Sequence, residues 1–314
     1  MIRFIVFVWI SLAFLYGSQT EAIDIRPSAL RSNVFEKIKI LDQKELNYQR
    51  IDGQNFAEIS DLAYNRDSNR LYMIGDEGSL YVFDAKFEEK IKKLRPLYAR
   101  EITKENGKPF RRWQRDSEGL AFGSRGGLLI SFEGEPRLGL FDYEGEQIKN
   151  YPLPPKIAEK SNYRSSNKML EALACHPRYG AMVVSEWSLK NDGIKYQTVY
   201  SLGGKEWHFQ AQPEEKSAVT AVEIMDDGNL LVLERSFINL FLPLTITLKK
   251  VILKGCQNKV CPTQIIAKMS SADGWDVDNF EGLAKVGKNR YIMISDDNDS
   301  FLQKTILIYF EVIE

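Results

Sequence analysis

The apolar residues of this chain come in short runs, among them RLYMIGD, GLLISFE, AMVVSEW, NLLVLER and RYIMISD. These runs are rich in β-branched, aromatic and leucine residues, and Gly, Asn, Asp or Pro bound them, which predicts strands separated by turns. Taken in order they group into units of four. One unit reads DLAYN, RLYMIGD, SLYVFDA, RPLYAREI, and the next GLAFGS, GLLISFE, RLGLFDY, QIKNYPL. The third is ALACHP, AMVVSEW, YQTVYSL, WHFQAQ, and the fourth VTAVEIM, NLLVLER, the long LPLTITLKKVIL, TQIIAKM. The last unit, GLAKVG, RYIMISD, TILIYFEVI, is one strand short, and FEKIKIL from Phe35 can supply the missing strand.

The units repeat at roughly 50 to 60 residues, the signature of a repeat architecture. SEGLAF begins at Ser117, LEALAC at Leu170 and FEGLAK at Phe280, so Glu118, Glu171 and Glu281 hold equivalent places. Fifteen residues after each stands another acid: Glu133, Glu186 and Asp296. A weaker copy sets Val219 fifteen residues before Glu234, and another pairs Asp61 with Asp76, one place late against its own LA. The fold expected is all-β: a β-propeller of five four-stranded blades closed by the N-terminal strand. Six blades, with two merged in the long fourth unit, is the alternative. A β-sandwich would leave the acid spacing unexplained. Leu and Ala of GLA suit an innermost strand, where small residues let blades crowd the axis.

The acids raise a question of compensation. Antiparallel partners in a hairpin keep a constant sum of residue numbers. With the turn midway, Glu118 faces Glu133, Glu171 faces Glu186 and Glu281 faces Asp296. Propeller symmetry then gathers these carboxylates around one mouth of the central channel, where they repel one another and burial raises their pKa values. Basic partners or a bound cation would offset this. Arg115, Lys168 and Arg235 lie beside the acids in sequence, and SDDNDS, from Ser295, is an oxygen-rich set of the kind Ca²⁺ accepts. Salt bridges that stitch the blades, a metal site on Glu118, Glu171, Glu234, Glu281, Asp296 and Asn298, and a mixture of the two all remain open.

Composition narrows the chemistry. With 42 basic against 43 acidic residues in 314 and no basic block, nucleic acid is not an expected partner. The apolar run Phe4 to Tyr16 after Arg3, followed by TEA at Thr20–Ala22, reads as a secretory signal cleaved after Ala22. Residues 23–314 would then form a single exported domain, periplasmic or secreted; an uncleaved anchor is the rival reading. Of three cysteines, Cys256 and Cys261 in GCQNKVCPT suit a small local disulfide, and Cys175 a buried apolar position. There is no G-x-S-x-G elbow. The two histidines argue against a His-rich metallophosphatase: His176, in a turn, is expected exposed at the opposite mouth, and His208 within a strand. Carboxylate and metal chemistry is what remains.

The strings EGLA at Glu118 and Glu281, LERSF at Leu233 and SDDN at Ser295 resemble the phytase-like family known as "esterase-like activity of phytase", from about Phe56 to the end. The resemblance implies an exported propeller with esterase or phosphoesterase activity, and it carries over to Glu118, Glu171, Glu234, Arg235, Glu281, Asp296 and Asn298. Ser60 and Asp61 depart from it. Two functions follow as expectations. One is a hydrolase of small phosphoesters or carboxyesters. There a divalent cation, foremost Ca²⁺, sits at the mouth, with Glu118, Glu171 or Glu281 as ligand or general base and Arg115, Arg235 and Lys168 on the substrate. The other is a non-catalytic binding propeller of the cell envelope, with Trp113, Trp187, Trp207 and Trp275 as contact surface. A purely structural envelope protein is the third reading.

Overall fold

In the computed structural model, residues 19–239, 242–300 and 302–313 are described. The apolar run expected to be a signal lies outside them. Thr20–Ala22 is a short edge strand beside Ile38–Leu46.

Five antiparallel sheets follow one another as blades. Blade 1 runs Ile59–Asn65, Arg70–Gly75, Ser79–Phe87 and Ile91–Glu101, in that spatial order. Blade 2 runs Ser117–Phe122, Leu128–Phe132, Arg137–Phe141 and Gln147–Tyr151. Blade 3 runs Leu170–His176, Gly180–Ser185, Tyr196–Ser201 and Glu206–Gln210. Blade 4 runs Ser217–Ile224, Leu230–Ser236, Thr245–Val251 and Thr263–Ser270. Blade 5 takes Asn279–Gly287, Arg290–Asp296 and Ile306–Val312, and Ile38–Leu46 pairs with the last of these to complete it. The N-terminal strand therefore closes the ring, as the pattern predicted.

The long fourth unit hides no sixth blade. Its extra residues form a turn over Leu253–Gly255, and a Cys256–Cys261 disulfide leads into the strand Val260–Cys261. That strand adds in parallel to the outer edge of blade 3. Cys175 is unbonded and half-buried.

Each interface between blades is filled by its own apolar cluster. One example is Leu231, Leu233, Ile246 and Leu248 of blade 4 against Phe280, Tyr291, Met293 and Ile308 of blade 5. Four further clusters fill the other interfaces. Alternation along each strand explains this arrangement, because residues two apart face the same neighbouring blade.

The inner strands lie close together around the axis, which decides what the GLA motif can contain. A Cβ on Gly119 would stand 2.6 Å from the Leu173 Cβ and 2.7 Å from the Glu171 carbonyl, both in blade 3. One on Gly282 would stand 3.0 Å from the Cα of Asp61. Asp61 occupies the same place in blade 1, and its carboxylate accepts backbone N–H groups from both neighbouring blades: Leu120 at 2.8 Å and Leu283 at 3.1 Å. A carboxyl group placed there stitches three inner strands together.

Candidate functional site

The register of the inner hairpins differs from the constant-sum expectation. Ser117 pairs with Phe132, Leu170 with Ser185, and Phe280 with Ser295. Each inner strand then carries a β-bulge. The irregularity falls at Ser60, in the Ser117–Leu120 stretch that holds Glu118, and at Glu171, Thr220 and Glu281. Glu118, Glu171 and Glu281 thus do not face the acids fifteen residues on. They are bulge residues, and a bulge re-aims a side chain out of the sheet's ordinary alternation.

The bulges also realign the fourth copy by one residue. Thr220, not Val219, occupies the Glu118 place, and Arg235, not Glu234, occupies the place of Glu133, Glu186 and Asp296. Arg235 pairs with Ala218, one position further from the bulge, as Asp296 pairs with Asn279. In blade 1 the corresponding acid is Asp76, whose N–H donates to the Glu58 carbonyl.

The mouth therefore has two unequal sides. On the side of blades 3 to 5, the acids are compensated. Arg235 contacts Glu281 at 2.5 Å and Glu186 at 3.2 Å, and hydrogen-bonds Asn279. Lys168 reaches Glu186 at 2.5 Å. Asn279 donates to Glu281 at 3.0 Å and to Asp296 at 3.1 Å. Burial opposes the Arg235 charge, but Glu281, Glu186, Glu171 and Asp296 outweigh it and hold its pKa above the usual arginine value.

On the side of blades 1 and 2, no basic side chain comes within ion-pairing distance of Asp76, Asp116, Glu118 or Glu133 among the described residues. Ser60 donates to Asp76 at 2.5 Å, and the Met169 N–H donates to Glu133 at 2.8 Å. Among the described residues, the carboxylates of Glu118 and of Glu171, the exception on the blade 3 side, have neither a hydrogen bond nor an ion pair, although only 8% and 6% of the two residues' surface is exposed. Carboxylate oxygens of Asp116, Glu118 and Glu133 lie within 4.8 Å of one another, and so do those of Glu133, Glu171 and Glu186. Burial drives the pKa values up. Glu133 is pushed up to about 8 and Asp296 to about 9. Glu118, Glu171 and Asp76 are raised well above the ordinary range, by burial first and then by the neighbouring carboxylates.

Three expected site residues lie elsewhere. Glu234 points away from the channel into a buried pair with Lys249 at 2.5 Å, and it also accepts the Gln212 N–H at 3.1 Å. Asn298 is an exposed turn residue whose N–H caps Asp296 at 2.7 Å, while its amide turns to Gln303. Arg115 binds Glu101 at 2.8 Å and lies 3.7 Å from Glu77. It lines a cavity of about 490 Å³ with Glu58, Asp76, Arg112, Trp113 and Asp116. The oxygen-rich run does not converge as one ligand set. Asp297 caps the N–H groups of Glu58 and Asp299 and accepts from Thr305, which pins this turn to blade 1.

Asp116 and the shared role of Glu133 were missing from the expected ligand set. The spacing that marks Glu133 is visible in sequence, and once the bulges align Ser60 with Glu118, Glu58 stands in blade 1 where Asp116 stands in blade 2, their carbonyls accepting the N–H groups of Asp76 and Glu133. His176 is buried rather than exposed, with its ring 4.6 Å from Tyr179 and its Nε2 3.1 Å from the Gly228 carbonyl. His208 is a strand residue, as expected, with Nδ1 2.8 Å from the Thr198 hydroxyl. Trp207 and Trp275 are core residues, whereas Trp113 is half exposed and Trp187 partly so.

The sequence profile described as "Phytase-like: Esterase-like activity of phytase" matches residues 54–299. The chain belongs to this phytase-like family. The matched segment holds every blade strand except the closing strand Ile38–Leu46 and the third strand of blade 5. No curated protein matches the chain. Among solved structures, this phytase-like chain is similar to virginiamycin B lyase from Staphylococcus aureus, at 10% identity and a TM-score of 0.41, over 87% of this chain and 99% of that one. It is also similar to a structure of U3-55K, at 8% identity and TM-score 0.39, over 83% and 97% of the two chains. A streptogramin B lyase structure aligns at 8% identity and TM-score 0.38, over 86% and 96%.

Proposed function

We infer that this phytase-like propeller is a cation-dependent hydrolase of small esters or phosphoesters, with its reacting centre on the uncompensated side of the channel mouth. The observation that carries the reading is the Asp116, Glu118 and Glu133 group: three converging carboxylates, no ion pair to any of them, and Glu118 buried without a partner. Three hard oxygen donors fit a cation of the Ca²⁺ class, which also takes flexible geometry and added water. When bound, such an ion would polarise a carbonyl or phosphoryl oxygen and lower the pKa of a bound water.

The chain's own residues supply the rest. Glu171 is buried and unpaired on the far side of Glu133, and once a bound cation favours its ionised form it would take a proton from an attacking water. Arg235 is consumed by Glu186, Glu281 and Asn279, so its role is to neutralise that side of the mouth rather than to hold substrate. The cavity lined by Glu58, Asp76, Glu77, Arg112, Trp113, Arg115 and Asp116 opens beside this group and would give substrate and cation access to it. The Cys256–Cys261 disulfide supports export to an oxidising compartment. Among the described residues no helix is long and apolar enough to cross a membrane.

The test is Glu118→Gln, assayed with wild type on carboxyester and phosphoester panels after chelation and after Ca²⁺ is restored. The expected result is turnover that needs the ion and is lost in Glu118→Gln. Ca²⁺ binding without turnover would leave a binding propeller. Unchanged activity in the variant would move the centre away from this group.

A further inference from the structure

On the same face as the acid mouth, a groove of about 730 Å³ lies between blade 3 and the start of blade 4. It begins one residue from the ring: Trp187 follows Glu186, and the Gln197 amide donates to the Glu186 carbonyl at 2.9 Å. Its sides are apolar and open, with Trp187 partly exposed, Tyr196 39% exposed and Ile194 76% exposed. Its floor is polar, formed by Gln197, Gln212, Glu214 and Ser217. Three buried atoms of that floor lack a hydrogen-bond partner: Gln197 Oε1, Glu214 Oε2 and Ser217 Oγ.

We propose that this groove binds a sugar ring. The chemistry of its surfaces separates the alternatives. The groove's cations are Arg164, engaged by the carbonyls of Ser188, Leu189 and Lys190, and the exposed Lys195 and Lys216, while the unpartnered floor atoms of Gln197 and Glu214 are acceptors that a free anion would meet lone pair against lone pair. An alkyl chain would cover the aromatic sides yet leave the amide and carboxylate acceptors unpaired, at a cost for each buried acceptor. A hydroxylated ring answers both. Its C–H face lies on Trp187 or Tyr196, and its hydroxyls donate to Gln197, Glu214 and Ser217 after small side-chain turns. Because the groove adjoins the ring at Glu186, the sugar is the non-reacting part of the substrate. That link to turnover, though not the sugar binding itself, rests on the hydrolase reading above.

The experiment titrates glucose, galactose, mannose, N-acetylglucosamine and maltose into the full chain, followed by tryptophan fluorescence and saturation-transfer NMR. It is repeated with Trp187→Ala, Tyr196→Ala and Glu118→Gln. Saturable binding of at least one sugar is expected, weakened about tenfold by either aromatic substitution, the size of a lost stacking contact plus its ordering. Tyr196 is exposed, so its variant keeps the test valid even if Trp187→Ala fails to fold. Binding should persist in Glu118→Gln, so loss of hydrolysis there and loss of sugar binding in the groove variants report on separate statements. No binding of any sugar would overturn the proposal. So would binding that both aromatic variants retain, or an anilinonaphthalene probe that fills the groove and that no sugar displaces.

Discussion

At the scale of single residues, Arg235 decides how the mouth is organised. It sits where the four other blades place an acid, and it holds Glu186 and Glu281 on either side. Removing one partner of a buried ion pair leaves the others uncompensated and costs about 3–5 kcal/mol. Arg235→Met should therefore destabilise the chain by about that amount in urea unfolding, with the loss largest at high pH, where Glu186, whose pKa burial raises, is ionised. A variant as stable as wild type would show that the acids on this side are compensated in some other way. Asp61 gives a second case. Its carboxylate is the acceptor for the N–H groups of Leu120 and Leu283, so Asp61→Ala leaves both buried donors without it. A loss of about 2–4 kcal/mol is expected, with Asp61→Asn costing less because one acceptor oxygen remains.

At the scale of the strand and hairpin, the repeat was legible and its register was not. Apolar runs, turn residues and the acid spacing give every blade, the closing strand and the ends at which carboxylates gather. A constant-sum argument cannot see a bulge, because the extra residue leaves the sequence spacing unchanged while it shifts the pairing. That one residue is what exchanges Glu234 for Arg235 in the ring and sends Glu234 to Lys249. Asp116 was hidden for the same reason: its acidic counterpart, Glu58 in blade 1, lines up with it only when the bulge puts Ser60, not Asp61, in the Glu118 place. The SDDNDS run looked like a ligand set because turn-capping and cation binding call for the same oxygen-rich residues, and only the coordinates separate the two. The closing strand carries its own prediction. Ile38–Leu46 pairs along the whole of Ile306–Val312, and Ile38 and Ile40 enter the cluster shared with blade 4. A chain that begins after Leu46 should lose cooperative unfolding, because the ring then ends in an unpaired edge. One that begins at Ile23 gives up the pairing of Thr20–Ala22 and the Asn47 N–H bond to the Gln19 carbonyl, and should unfold as a single transition.

At the scale of the whole molecule, the acidic mouth couples stability to pH, and on the hydrolase reading to cations. Without an ion, Glu133 titrates at about 8 in the folded chain against 4.5 ordinarily, and Asp296 at about 9 against 3.8. Between each pair of values the folded state binds a proton that the unfolded state has released. Stability must then fall as pH rises across the window. The stabilisation is complete below about pH 4, begins to be lost above it, and is gone by about pH 9. A cation held by the folded ring would reverse the sign of this dependence, because it would favour the ionised carboxylates, so its effect would grow as protons leave. Thermal unfolding after chelation, from pH 5 to 9, should show a midpoint that declines steadily, and Ca²⁺ should raise it most at the alkaline end. A chelated protein with a flat profile would mean that the carboxylates are ionised without cost, so Lys168 and Arg235 would suffice for the whole ring. A declining profile that neither Ca²⁺, Mg²⁺ nor Mn²⁺ lifts would mean the mouth holds protons rather than metal, and the hydrolase reading would lose its centre.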